Sequence, residues 1–134
     1  MYLKTFRTIL LIAALATGIS SCTKDRTKDT SCATCPVTSF KTDIVPIFTQ
    51  SCAMTACHTG QFPAGNINLD PAVAYAQVTV QGKGYVNAGN PSTSILYGQL
   101  FAGATNHMPN NGQQLDPCDI QKIYCWINEG ALNN

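Results

Sequence analysis

The sequence predicts a small, mainly α domain of about four short helices joined by long loops. Two Asp-Pro pairs, at residues 70–71 and 116–117, each place a capping side chain before a proline at the first helical position. Apolar residues recur at helical spacing in four short stretches. Alternation typical of a strand occurs only at residues 78–80, which is too short a stretch to predict one.

The four helices are expected at residues 43–50, 71–79, 94–100 and 117–129. The first has Thr42 as a candidate N-cap and leads directly into Cys52. The last is the clearest, because Gly130 follows it as a natural C-terminal cap and it carries the longest apolar stripe. That stripe is formed by Ile120, Ile123, Tyr124 and Ile127.

Residues 1–21 have the layout of an export signal, with Lys4 and Arg7 followed by an apolar run over residues 9–16 and then small residues. A membrane-spanning helix needs roughly 20 consecutive apolar residues, so this run is too short to remain as one. We therefore expect this segment to be absent from the mature protein.

The signal ends in Ile19-Ser20-Ser21-Cys22, which resembles a bacterial lipobox. Such a match predicts cleavage before Cys22 and acylation of its thiol, which would anchor the protein to a membrane by lipid. An ordinary secretory signal with an incidental Cys22 is the alternative. Residues 22–30 are polar and mixed in charge, as in a flexible tether, and residues 31–134 form the predicted domain.

The 134 residues contain 8 Lys and Arg against 7 Asp and Glu, for a formal net charge of +1. A nearly balanced charge gives no electrostatic footprint for nucleic acid, so we expect no nucleic-acid partner. A domain of this length buries only a modest core, which a cofactor or disulfides would have to reinforce.

The segment Cys52-Ala53-Met54-Thr55-Ala56-Cys57-His58 places two cysteines before a histidine. This arrangement is typical of covalent haem attachment, in which two thiols add to the vinyl groups and the adjacent histidine reaches the iron. The commonest spacer between the cysteines has two residues, whereas this one has four. The wider spacer also fits a disulfide or half of a zinc site.

Residues 43–132 resemble the single-haem cytochrome c domains of exported bacterial proteins. The matching pieces occur in the same order, and they are residues 44–48, Cys57-His58, residues 89–91, residues 94–96, Met108-Pro109 and residues 126–131. The resemblance implies a cytochrome c-like fold around one covalent haem c, held by thioethers to Cys52 and Cys57. It also implies electron transfer with a redox partner protein, rather than an enzyme activity, in the bacterial cell envelope, on the periplasmic side or the outer-membrane surface.

By the same resemblance, His58 and Met108 are the axial ligands of the haem iron. Pro109 favours an extended backbone at Met108, which would hold its side chain out over a flat ring. His107 is an alternative ligand, and a purely structural role for Met108 is another. Tyr97 and Phe101 are candidates for the walls of the haem pocket.

Two more expectations concern the surroundings of these residues. A backbone carbonyl near Pro63 or Pro71 would orient the His58 ring by accepting a hydrogen bond. Trp126 is expected to be a core residue that packs against the first helix.

Four cysteines remain once Cys22 is assigned to lipid and Cys52 and Cys57 to haem, and they are Cys32, Cys35, Cys118 and Cys125. An even number suits an oxidising compartment. On one continuous helix Cys118 and Cys125 would lie roughly 10 Å apart, beyond the ~7 Å limit between Cα atoms of a disulfide. We therefore expect Cys32 and Cys35 each to pair with one of them, in either order. A redox-active Cys32–Cys35 pair is the alternative.

Two other functions compete with electron transfer. A structural lipoprotein module, held by disulfides or by zinc, would use the same cysteines without haem; its candidate zinc ligands are Cys32, Cys35, Cys52, Cys57 and His58. An enzyme such as a peroxidase would need an acid–base group near an open iron site, and only His107 offers one.

Overall fold

A computed structural model of the chain describes Cys32, residues 34–111 and residues 113–134. The predicted signal peptide, Cys22 and the tether lie outside the described residues. Every regular element in the described part is helical, which confirms the mainly α class. No helix among these residues is both long and apolar enough to cross a membrane.

Four α-helices form at the predicted places. They are α1 (Val45–Ser51), α2 (Ala74–Val78), α3 (Ile95–Gly98) and α4 (Pro117–Asn128). A π-helical turn, Phe40–Ile44, leads into α1, and single 3-10 turns occur at Ala64–Asn66 and Pro91–Thr93. The helix α2 is shorter than predicted, because residues 71–73 form turns before it.

The first helical segment begins earlier than the sequence predicted, because Ser39 caps it instead of Thr42. The Ser39 hydroxyl accepts a hydrogen bond from the Thr42 N–H at 3.3 Å. In return, the Asp43 carboxylate accepts one from the Ser39 N–H at 2.9 Å. This reciprocal arrangement resembles a capping box and satisfies two N–H groups at the start of the segment. The earlier start adds Phe40, which is buried, to the helical face that meets the core.

The start and end of α4 follow the sequence signals. The Asp116 carboxylate accepts a hydrogen bond from the Cys118 N–H at 2.8 Å, and Pro117 occupies the first turn. After the helix, Gly130 has a φ of 102°, a left-handed conformation that suits glycine. The core residues of α4 are Ile120, Ile123, Cys125, Trp126 and Ile127.

Trp126 is the centre of the core, as predicted, with none of its surface exposed. Its ring lies 5.1 Å from the Phe40 ring, between centroids, and Phe40 in turn contacts Phe48 edge-on at 6.2 Å. The indole N–H donates a hydrogen bond to the Leu132 carbonyl at 2.9 Å, so burial leaves no unpaired polar atom on this ring. The aromatic residues thus join the first helical segment to α4.

Two disulfides fasten the N-terminal end of the domain to α4. They join Cys32 to Cys118 and Cys35 to Cys125, with Cα atoms 5.0 and 5.3 Å apart. The prediction that each N-terminal cysteine pairs with one cysteine of the last helix is confirmed, and the structure shows which cysteine pairs with which. A Cys32–Cys35 redox pair is excluded.

We expect removal of one disulfide to cost much less stability than removal of both. Either bond alone closes a loop of 86 or 90 residues, for which loop-closure entropy predicts a stabilisation somewhat below the ~4.7 kcal/mol of a 100-residue loop. With one bond in place, the other closes only a short loop, worth roughly 3 kcal/mol or less. Urea unfolding of C32A/C118A, C35A/C125A and the quadruple variant would measure these free energies.

The loss in the quadruple variant should exceed the sum of the two separate losses. C32A/C118A is the cleaner single test, because Cys118 is half-buried whereas Cys125 is buried and its loss also leaves a small cavity. The proposed arrangement would be contradicted if the losses of unfolding free energy in the two double variants added up to the loss in the quadruple variant.

Candidate functional site

A surface cavity of about 260 Å³ lies between the segment that follows α1 and the chain near Met108. Its walls contain all four residues predicted to hold a haem, namely Cys52, Cys57, His58 and Met108. Met54 and Ala64 line the same side as the cysteines, and residues 109–111 line the other side with Met108. The fold therefore brings Met108 to the same cavity as residues 52–58, although Met108 lies 50 positions after His58 in the sequence.

The end of α1 fixes the position of Cys52. Its N–H donates a hydrogen bond to the Phe48 carbonyl at 2.9 Å, and the N–H of Ala53 donates to the same carbonyl at 2.7 Å. Because Phe48 is fully buried, this end of the helix is attached directly to the core. Cys52 is thus held at the point where the helix gives way to the loop.

The four-residue spacer folds into a turn that brings Cys57 and His58 back towards Cys52. The Cys57 N–H donates a hydrogen bond to the Met54 carbonyl at 2.9 Å, and the His58 N–H donates to the Cys52 carbonyl at 3.1 Å. Ala56 has a φ of 66°, in the left-handed region that allows the chain to reverse. The wider spacer therefore forms a closed loop.

Cys52 and Cys57 are free thiols, and both are half-buried. Burial, with a smaller contribution from the neighbouring Cys57, raises the pKa of the Cys52 thiol to about 11. The Cys52 side chain thus lies in surroundings that favour the neutral thiol over the thiolate.

The His58 ring is oriented by a backbone carbonyl. Its Nδ1 lies 3.2 Å from the Ile67 oxygen, a contact in which Nδ1 carries the proton and donates. That tautomer leaves the lone pair of Nε2 available for a metal ion. We expected this carbonyl to belong to a residue near Pro63 or Pro71. In the structure it is that of Ile67, midway between the two prolines in the sequence.

The chain at Met108 is fixed by a hydrogen bond from its N–H to the Gln99 carbonyl at 2.8 Å. Met108 lines the cavity, whereas the neighbouring His107 does not. The Nε2 atom of His107 is buried and has no hydrogen-bond partner among the described residues. The geometry therefore favours Met108 over His107 as the residue that reaches a group in the cavity.

Tyr97 and Phe101, the predicted pocket residues, do not line the cavity. Their rings meet edge-on at 4.9 Å, and Tyr97 also lies 5.5 Å from Tyr124 of α4. Burial, and to a smaller extent Tyr124, raises the pKa of the Tyr97 hydroxyl. In this structure these residues join α3 to α4.

The zinc alternative loses two of its five candidate ligands, because Cys32 and Cys35 are both in disulfides. Within the described part of the chain, no three His, Cys, Asp or Glu side chains are grouped as a metal site would require. A haem iron asks less of the protein, since the macrocycle supplies four ligands and the chain supplies the axial ones.

The size of the cavity sets a condition on what can bind there. Its volume of about 260 Å³ is slightly below the roughly 300–1,000 Å³ of most small-molecule pockets. A larger planar group would therefore extend beyond this volume and leave one edge in solvent.

Comparison of the chain with protein-family models, with curated proteins and with solved structures gave no match. A function therefore has to be inferred from the residues of the cavity and their geometry. Those residues supply two thiols, one imidazole with a free nitrogen and two thioethers, those of Met54 and Met108. This set contains the donors that can hold a covalently attached haem.

Counting thiols tests how the cysteines are divided. After removal of any haem-loaded fraction, the denatured and unreduced protein should contain two reactive thiols, Cys52 and Cys57, because the other described cysteines are oxidised. Colorimetric titration with a thiol reagent would count them in C22S, which keeps the predicted export signal and so reaches an oxidising compartment, but has no thiol at residue 22. The matched control, C52A/C57A, should contain none. Four or more thiols would contradict the disulfide assignment.

Proposed function

We propose that this protein is an electron-transfer c-type cytochrome that holds one haem c covalently in the cavity beside α1. The observation that carries the proposal is that Cys52, Cys57, His58 and Met108 line one cavity. Met108 is remote in sequence from the other three, so the attachment motif alone does not account for its presence there.

Each residue has a separate role in this proposal. Cys52 and Cys57 would form the two thioether bonds, and His58 would bind the iron through Nε2 while Nδ1 donates to the Ile67 carbonyl. Met108 would bind the opposite face through its sulfur. When bound, the haem supplies a reversible one-electron couple, and the protein tunes that couple through the axial ligands and their surroundings.

Two axial ligands from the protein favour electron transfer over catalysis. An iron with both axial positions filled has no open position for a substrate or oxygen. His107, the only acid–base group considered for a peroxidase, does not line the cavity. We therefore propose that the protein is not an enzyme and that it exchanges electrons with a redox partner protein.

The open side of the cavity is the natural place for that exchange. Met54 lines the cavity and is 37% exposed, and Phe62, in the loop that follows His58, is 87% exposed but does not line the cavity. An exposed apolar side chain beside a solvent-exposed haem edge would let a partner approach closely. Anchorage through a lipid on Cys22, on the outer side of a bacterial membrane, remains part of the proposal and is suggested by the N-terminal sequence.

Visible spectroscopy tests the proposal. Protein produced in a host with a cytochrome c maturation system should show a sharp α-band on reduction. The haem should remain on the chain after denaturation and acid–acetone extraction, because thioether bonds survive this treatment. The matched control, C52A/C57A, should lose its haem on extraction. Colourless wild-type protein would overturn the proposal and favour a disulfide-stabilised structural module.

Replacement of the second axial ligand should change the iron without removing the haem. In M108A the iron should become high-spin and bind carbon monoxide, because one axial position opens. Visible spectra of the ferric and ferrous forms measure both properties.

Two variants are matched controls for M108A. M54L changes the other methionine of the cavity, which lies four residues before His58. H107A removes the alternative ligand. Both should keep the low-spin spectrum of the wild type; a high-spin H107A beside an unchanged M108A would assign the axial position to His107 instead.

A further inference from the structure

The segment that follows His58 folds back on the attachment loop. The Ala64 N–H donates a hydrogen bond to the Cys57 carbonyl at 2.8 Å, and the Leu69 N–H donates to the His58 carbonyl at 2.7 Å. The Ile67 carbonyl, on the same returning segment, accepts from His58 Nδ1. The orientation of the His58 ring therefore depends on where the returning segment lies.

Asp70 ends this segment and ties it to the loop. Its carboxylate accepts a hydrogen bond from the Thr59 hydroxyl. The Thr59 bond is the largest of the effects that lower the pKa of the Asp70 carboxyl, so the carboxylate is the form that the structure holds. Thr59 is the residue after His58, so the hydrogen bond between Thr59 and Asp70 lies one position from the predicted iron ligand.

Asp70 also connects the loop to the core. Its carbonyl accepts hydrogen bonds from the Val73 and Ala74 N–H groups, both at 2.9 Å, where the chain turns into α2. Ala74 and Val78 of this helix are buried. Since neither Asp70 nor Thr59 lines the cavity, their contacts do not serve to hold a ligand directly.

We propose that the Thr59–Asp70 hydrogen bond is a positioning element that holds the Ile67 carbonyl against His58 Nδ1 and thereby sets the reduction potential of the haem. This inference rests on the proposed function. Neither residue would touch the haem; they would act through His58.

The hydrogen bond from His58 Nδ1 to the Ile67 carbonyl is long, so it is sensitive to small shifts of the segment that carries Ile67. At 3.2 Å it lies at the upper end of the usual range for an N–H···O hydrogen bond, about 2.7–3.2 Å. A displacement of a few tenths of an ångström would break it. Hydrogen bonding at the outer nitrogen makes the imidazole a stronger electron donor, which favours the ferric state, so loss of the bond should raise the potential.

T59V tests the inference without changing the charge of the protein. It removes the hydroxyl that donates to Asp70, at nearly constant side-chain volume. The reduction potential of the haem-loaded protein should rise, with a change in the ferric–ferrous equilibrium of about tenfold, or about 59 mV for a one-electron couple. T59S, which restores the hydroxyl, should return the potential towards the wild-type value.

A second readout follows the His58 ring itself. In nitrogen-15 NMR of the reduced protein, the His58 Nδ1–H should exchange with solvent faster in T59V than in the wild type and T59S. Backbone amide protons of α4, followed in the same samples, report a general loss of stability, so faster exchange at Nδ1–H with unchanged exchange in α4 separates lost positioning from lost stability.

D70N provides a second route if T59V does not fold. It weakens the acceptor while it removes one negative charge, so its matched control is D116N, which removes a negative charge at the α4 cap, where Asp116 bonds to the Cys118 N–H. D70N should raise the potential and speed Nδ1–H exchange more than D116N does.

The outcomes separate the two proposals. Haem-loaded T59V with the wild-type potential and wild-type Nδ1–H exchange would overturn the positioning role and leave the cytochrome assignment intact, as would D70N that behaves like D116N. Wild-type protein without covalent haem would overturn both.

Discussion

The contact between Trp126 and Phe40 is the constraint on which the rest of the structure depends. It joins the last helix to the first helical segment, and both partners are buried. The wall of the cavity that carries Cys52 begins where α1 ends, at a carbonyl of the buried Phe48. The opposite wall, residues 108–111, lies a few positions before α4 begins. The relative position of the two walls therefore follows from the packing of their helices.

The disulfides reinforce the same junction. A short domain with few regular elements has little apolar surface to bury, and most of it here is gathered around one tryptophan. Both covalent bonds run from the N-terminal segment to α4, and polar contacts from residues 38–41 to Glu129 and Asn134 add to them. Reinforcement is thus concentrated where the two ends of the domain meet.

Some of this structure could be predicted because it depends on local rules. The helical rise between Cys118 and Cys125 excludes a bond between them, and that distance predicts that each pairs with Cys32 or Cys35. Which cysteine pairs with which is visible only in the structure. Asp116, Pro117 and Gly130 similarly mark the ends of α4. The start of the first segment was predicted wrongly at Thr42 because Ser39 and Thr42 are both good N-caps, and the choice depends on the burial of Phe40.

Other features depend on how distant segments meet, which sequence spacing does not reveal. Tyr97 was expected beside the cavity, yet it packs with Phe101 and Tyr124 because α3 presents that side to α4. The tie between Thr59 and Asp70 was not predicted either, because its partners are separated by a loop of no regular pattern. An Asp before a proline is typical of a helix N-cap, but α2 begins only at Ala74. The Asp70 carboxylate bonds instead to Thr59, the residue after His58.

We propose that one cavity gathers two thiols, an imidazole and the Met108 thioether for a single covalent haem. Mass spectrometry of the protein, purified from a host that matures c-type cytochromes and then digested, tests this proposal. One peptide that spans Cys52 to His58 should carry the mass of one haem, with the 32–118 and 35–125 disulfide peptides intact. An unmodified peptide over residues 52–58, or one with a bond between its two cysteines, would contradict it.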